Sequence, residues 1–171
     1  PAGFSYAHTP VFGRRKSKWA NTFVATEASL GNRGPIFEYD TGAKLWKLKN
    51  TTTTDTKYAT PLGTNSNTLL IHGSRVKWEG NIGFNDNHVN FETKPDPDSV
   101  TFTFTGYTGS DGKTHNDNLF ANENDSTRAF SENDNKNIIT TSIDNSNVYL
   151  RSYRAVPTSS GASRVIDPFY D

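Results

Sequence analysis

The sequence predicts a mainly-β fold: one domain built on an antiparallel sheet with long polar loops, and α+β only if a helix upstream of Pro1 is retained. Three observations lead there. Val100-Thr-Phe-Thr-Phe-Thr105 alternates strictly, with Val100, Phe102 and Phe104 on one face and three threonines on the other. No window longer than about ten residues places apolar residues at i, i+3, i+4 and i+7. Short apolar runs recur between Gly, Pro and Asn breaks throughout the chain.

In chain order, residues 1–20 form an arm without periodicity that holds Phe4, Tyr6, Phe12 and Trp19. It is expected to be ordered by packing on its own sheet or on a neighbouring subunit. Its cationic run, Arg14-Arg-Lys-Ser-Lys18, reads as a solvated strand edge guarded by charge, or as a contact for phosphate, polysaccharide or an acidic neighbour. Strands are expected over residues 21–25, 36–39, 44–48, 68–72, 75–78, 100–105 and 148–153. Residues 50–56 are a polar Thr run, and 94–99 carry two prolines that cannot sit in a central strand. Residues 107–137 read as a long polar loop rich in Asn, Asp, Ser and Gly. The tail, 157–171, is rich in Ser, Gly and Pro but ends in Phe169-Tyr170-Asp171.

The clearest local signal is a hairpin. Asn81-Ile-Gly-Phe84 and His88-Val-Asn-Phe91 flank Asn85-Asp86-Asn87, residues that favour tight turns and tolerate positive φ. Strands are expected at about 80–84 and 88–92, with Asn87 or a neighbour at positive φ. Ile82 shares a face with Phe84, and Val89 with Phe91.

Composition excludes whole classes of protein. At 171 residues the chain is one domain's length, burying roughly 68–70% of its unfolded surface. Apolar residues are 32%, and Thr (22), Asn (18) and Ser (15) together match them. Eleven Phe, seven Tyr and three Trp argue against disorder. Without Cys there is no disulfide framework and no thiolate chemistry. No apolar run approaches the ~20 residues of a membrane span. Zero net charge leaves nucleic acid without an electrostatic footprint, so no nucleic-acid partner is expected. Charge is nonetheless uneven: residues 1–57 carry nine Lys/Arg against four Asp/Glu, and 107–147 three against seven. Such poles suit head-to-tail association. With Pro1 first and no Met, the chain is expected to be processed or trimmed, with any export signal or anchor upstream.

The window from Asn65 to Phe91 resembles the processing-associated motif of planctomycete-type prepilin-like proteins, in which a His-Gly pair precedes an Asp-Gly-His turn. His72-Gly73 matches the first element, and Asn81, Phe84, Asp86, His88 and Val89 match the second. Asn87 replaces the usual turn Gly, and thirteen residues separate His72 from Asp86 where the family label specifies nine. Phe23-Val-Ala-Thr-Glu27 and Leu30-Gly-Asn-Arg-Gly-Pro35 are similar to the stretch preceding that motif. The resemblance implies the head domain of a type IV pilin or type II secretion pseudopilin. It implies a membrane connection only through a helix that this sequence does not contain.

Specific chemistry is sparse. The four His (8, 72, 88, 115) show no metal spacing, and no nucleophile elbow or His-Glu-x-x-His occurs. Asp111, Asn116, Asp117 and Asn118 hold oxygen donors suited to calcium, the candidate cofactor, which the resemblance also implies for loops of such heads. Asn50 and Asn124 fit the N-glycosylation pattern. The expectation is therefore non-enzymatic: a structural subunit of an extracellular filament or secretion pseudopilus, at the cell surface or outside it, that associates with itself or with similar subunits. The alternatives are a surface carbohydrate-binding β-sandwich using Trp19, Trp46 and Trp78, and a hydrolase with a clustered His/Asp/Glu pocket.

Overall fold

A computed structural model describes residues 4–40, 42–49, 54–55, 60–61, 63–105, 114–125, 145–157 and 164–169. The protein is mainly β, with every strand pair antiparallel. Its central sheet has the order β1-β2-β7-β8. These strands are β1 (Tyr6–His8), β2 (Ala28–Asn32), β7 (Gly80–Phe84) and β8 (Val89–Glu92). Four two-stranded ribbons accompany it. They are β3 (Phe37–Asp40) with β4 (Leu45–Leu48), β5 (Thr54–Asp55) with β6 (Thr60–Pro61), β9 (Thr101–Thr103) with β10 (Thr114–Asn116), and β11 (Ser152–Pro157) with β12 (Arg164–Phe169). No helix among the described residues is long and apolar enough to cross a membrane.

Register sorts the central sheet into two faces. Ala7, Gly31 and Ile82 lie in one row across three strands and point inward. Beneath them lies a core of Trp78, Phe120, Leu119, Leu150, Val100 and Phe37. Phe120 is its centre, stacked on Phe37 at 6.0 Å and edge-on to Trp78 at 4.8 Å. Gly34 has no side chain for a steric reason: a Cβ there would lie 2.4 Å from the Phe120 ring.

Among the described residues, twelve polar or charged side chains are buried beside eighteen apolar ones. Arg15 and Arg151 are buried, as are Asn32, Asn118, Asn122, Asn145, Asn147, Asp117 and Glu123. Arg15 Nε donates to the Asn147 carbonyl at 2.7 Å, and its Nη2 donates to Asn122 Oδ1 and Asn147 Oδ1, both at 2.8 Å. Arg151 donates to the carbonyls of Gly34 and Phe120, both at 2.7 Å. Both guanidinium carbons lie within 6 Å of the Tyr149 ring centre, at 5.4 and 5.8 Å. Burial pushes the Arg15 guanidinium below its ordinary value, against the opposing pull of its neighbours, Asp117 and Asp125 among them.

Several expectations are corrected here. The cationic run is not a solvated strand edge: residues 14–19 form a 3-10 helix that buries Arg15. Residues 21–25 are not a strand, because the Asn85 side chain takes the backbone N–H groups of Thr22 and Phe23. Residues 67–70 form a 3-10 helix instead of a strand, started by Ser66 Oγ accepting from Thr68 N at 3.1 Å. Residues 75–78 are irregular. The expected solvated loop over 107–137 contains β10 and the buried run 117–123. In the tail, β12 pairs with β11 over six residues. The arm, by contrast, packs on its own sheet as edge strand β1, one of the two settings expected for it.

Replacing Arg15 by Met strands the acceptors of Asn122 and Asn147 in the interior. Stability should fall by about 3 kcal/mol or more, read as a lower urea midpoint at unchanged slope. A loss under about 0.5 kcal/mol would place Arg15 among ordinary surface residues.

Candidate functional site

The motif residues converge on the β7–β8 hairpin and the sheet face beside it. Phe84 N donates to the His88 carbonyl at 3.0 Å, and Asn87 N donates to the Phe84 carbonyl at 3.0 Å. These bonds close the turn with Asn87 at φ 71°. The strands run 80–84 and 89–92, as expected. Asp86 Oδ1 pairs with His88 Nδ1 across the turn and accepts from His88 N at 3.3 Å. The His88 ring stacks on Phe84 at 4.2 Å, nearly parallel. Partial desolvation pushes the Asp86 carboxyl up, but the His88 hydrogen bonds and charge outweigh it and hold it below its ordinary value.

Asn85 does more than turn the chain. Its Oδ1 accepts from Thr22 N and Phe23 N at 3.0 and 3.1 Å, and its Nδ2 donates to the carbonyls of Lys18 and Ala20, both at 2.8 Å. All four bonding positions of one amide therefore hold the 18–23 segment. They hold Phe23 at φ 53°, an uncommon geometry for a bulky residue.

Asn32 is the second hub. Its Oδ1 accepts from Asn81 N at 2.7 Å and lies 3.0 Å from His72 Nε2. The His72 ring stands edge-on to Phe91 at 5.2 Å. Gly73, at φ 85°, ends this turn with open space where a Cβ would be. His72, Asn81, Phe84, Asp86, Asn87 and His88 thus belong to one hairpin and its immediate support. Sequence reasoning missed Asn32 and Asn85 as hubs. Nothing local marks Asn32, whose partners His72 and Asn81 lie 40 and 49 residues away.

On the outer sheet face, His8-Leu30-Gly83-Val89 and Tyr6-Asn32-Asn81-Phe91 form two rows. Tyr6, Leu30, Val89 and Phe91 are 59, 49, 64 and 52% exposed. In the sheet order, β8 is an end strand with β7 as its partner.

The candidate calcium donors among the described residues take protein partners. Asp111 lies outside the described residues. Asn116 Nδ2 donates to Asp98 Oδ1 at 2.6 Å and to the Asp96 carbonyl at 3.1 Å. Asp117 is buried and accepts from Val148 N at 2.6 Å. Asn118 is buried and accepts from Phe120 N at 2.8 Å. Asp125 accepts from Ser146 N through both oxygens, at 2.9 and 2.8 Å. Among the described residues no three His, Asp or Glu side chains are grouped to hold a metal. Asn124 is exposed, and Asn50 lies outside the described residues. Of the three tryptophans, Trp46 and Trp78 are core, and only Trp19 reaches the surface.

Neither a family model, a curated protein nor a solved structure matches this chain.

Two outcomes test the turn. Asn87→Gly should be neutral or stabilising by up to about 1 kcal/mol, and Asn87→Val destabilising by about 1–3 kcal/mol. Equal effects in thermal melts would contradict the left-handed assignment. Asp86, Asp98 and Asp40 are all held below their ordinary value. Depressed carboxyls stabilise above their unfolded pKa, and that stability is lost as pH falls through the folded value. Melting temperature should therefore drop below pH 4 or so, and Asp86→Asn should blunt the drop. An unchanged acid limb would count against the Asp86–His88 pair.

Proposed function

We propose that this chain is a non-enzymatic structural subunit of an extracellular filament or secretion pseudopilus, exposed at the cell surface or outside it. One observation carries the reading. The central sheet turns four large side chains, Tyr6, Leu30, Val89 and Phe91, outward on one face, next to the end strand β8. Scattered exposed apolar residues need no explanation, but four on two adjacent rows of one sheet face form a patch suited to a partner. The fitting occupant is a second, similar subunit, because an end strand also offers backbone donors and acceptors for strand addition.

The motif supports the same reading from the other side. His72, Asn32 and Asn81 shape the support of that face, and Asp86, Asn87 and His88 close the hairpin that bears half of it. The residues that carry the prepilin resemblance are thus spent on holding a surface, in keeping with an assembly role.

The charge poles contribute less between subunits than their size suggests. Arg15 of the basic third is already buried beside Asn122 and Asn147, near Asp117 and Asp125 of the acidic segment. Part of the complementarity is used inside the monomer.

Light scattering and electron microscopy of native material test the proposal, together with Leu30→Asp and Phe91→Asp. Polymers whose contacts bury more than roughly 1,000 Å² each are expected. Both substitutions should yield folded monomers with native melting temperatures. A native protein that stays monomeric at high concentration, or polymers indifferent to both substitutions, would overturn the reading.

A further inference from the structure

Beside the hairpin turn lies an open cleft of about 280 Å³, between Trp19, Phe84 and the Asn85-Asn87 turn. We propose that this cleft is a subsite for one ring of a neutral saccharide. The proposal does not rest on the assembly reading, and the cleft is lined by other residues than the four of the outer-face patch.

The aromatic wall is fixed in place. The Trp19 indole N–H donates to the Thr9 carbonyl at 3.1 Å, and the His8 ring stands edge-on at 5.9 Å. Trp19 nevertheless remains 47% exposed, where Trp46 and Trp78 are buried. A large amphipathic ring held rigid and half open to solvent loses little conformational entropy when a ligand covers it.

The polar lining is uncommitted where its surroundings are saturated. The side chains of Asn21, Ser29 and Asn87 make no hydrogen bond or ion pair to protein among the described residues, and all three line the cleft. Around them, Asn85 uses all four amide positions, and Thr22 Oγ1 donates to Glu27 at 3.0 Å. Two amides and a hydroxyl supply both donors and acceptors, as ring hydroxyls require.

Local backbone irregularities surround the same spot. Asn87 has φ 71° and Phe23 φ 53°, and the β2–β7 register shifts between Ala28 and Leu30, leaving Ser29 as the extra residue. Bulges and strained dihedrals re-aim side chains, and they gather at functional sites. Here the Asn85 amide holds the strained segment, so the geometry is formed before any ligand arrives.

Charge selects the ligand class. Lys18, the one cation of the lining, is paired with Glu27 at 2.6 Å. Asp86 next to the turn is paired with His88. A site with its charges already compensated favours a neutral polyhydroxyl ring over an anionic one. The volume lies just below the ~300–1,000 Å³ of sites for drug-sized ligands, which fits a single ring of a longer chain.

The test is titration of the intact chain with cellotetraose, chitotetraose and mannotetraose, and with an oligogalacturonate as the acidic counterpart. Binding is followed by amide NMR shifts and by iodide quenching of tryptophan, which reaches Trp19 selectively. At least one neutral probe should bind with a dissociation constant on the order of 1 mM. It should shift the amides of Asn21, Ser29 and Asn87 and protect Trp19 from iodide. Trp19→Ala should weaken it at least tenfold, Trp19→Phe about threefold and Asn21→Ala about threefold. The wild-type shift map stands even if Trp19→Ala fails to fold. The proposal is overturned if no neutral probe moves these amides at about ten times that concentration. Shifts elsewhere on the surface only, or tighter binding of the oligogalacturonate, would overturn it as well.

Discussion

The structure depends on two guanidinium groups sealed into its interior. Arg15 and Arg151 are 2 and 3% exposed. A desolvated charge is tolerated only where acceptors meet it on all sides. That requirement fixes the chain. Arg15 draws the N-terminal arm onto Asn122 and Asn147, and Arg151 draws the segment after β2 and the carbonyl of Phe120 onto the approach to β11. Segments more than a hundred residues apart in sequence are joined through side-chain bonds that geometry makes specific. This is how a chain with only 32% apolar residues acquires a defined interior. Amides of Asn and carboxylates of Asp and Glu take positions that aliphatic side chains fill elsewhere.

The same logic explains the acidic segment. Its carboxylates look like metal ligands in sequence, since Asp and Asn crowd together there. In the fold two of those described are capped by backbone N–H groups: Asp117 by Val148, and Asp125 by Ser146 and Asn147. These bonds commit the two carboxylates to the fold, and the candidate functional surfaces lie on the outside. There the molecule presents an apolar sheet face on one side of the hairpin and an open cleft of unspent amides on another.

Legibility in the sequence followed the range of the forces involved. The 80–92 hairpin was readable because a turn is decided by its own residues, and the Asn85-Asp86-Asn87 run signals a left-handed position within it. The strands of the β3–β4 ribbon were readable as short apolar runs; their pairing and the turn, where Asp40 Oδ1 accepts from Gly42 N and Ala43 N at 2.9 Å, came with the structure. Residues 68–72 were misread because a short apolar run does not distinguish strand from helix, and the Ser66 cap decided it. Arg15 and Arg151 were illegible. One sits in a cationic run that looks solvated, and nothing local marks it apart from Arg14. Residues 117–123 failed similarly, since Asn-rich sequence reads as loop unless its distant partners are known. Of the candidate site, the motif residues were visible, and the hubs Asn32 and Asn85 that position them emerged only with the tertiary contacts.

Native-state hydrogen exchange addresses the central claim directly, that the polar interior binds arm, acidic segment and β11 approach into one cooperative body with the central sheet. The reporters are the amides of His8, Leu119, Leu150 and Arg151. They donate to the carbonyls of Arg151, Pro95, Leu119 and His8 respectively. If the account is right, these amides exchange only with global unfolding, at the same opening free energy as the ladder amides of β2, β7 and β8. Fast exchange at those four positions, with the β2–β7–β8 ladder still protected, would show that the buried guanidinium groups do not hold the fold together.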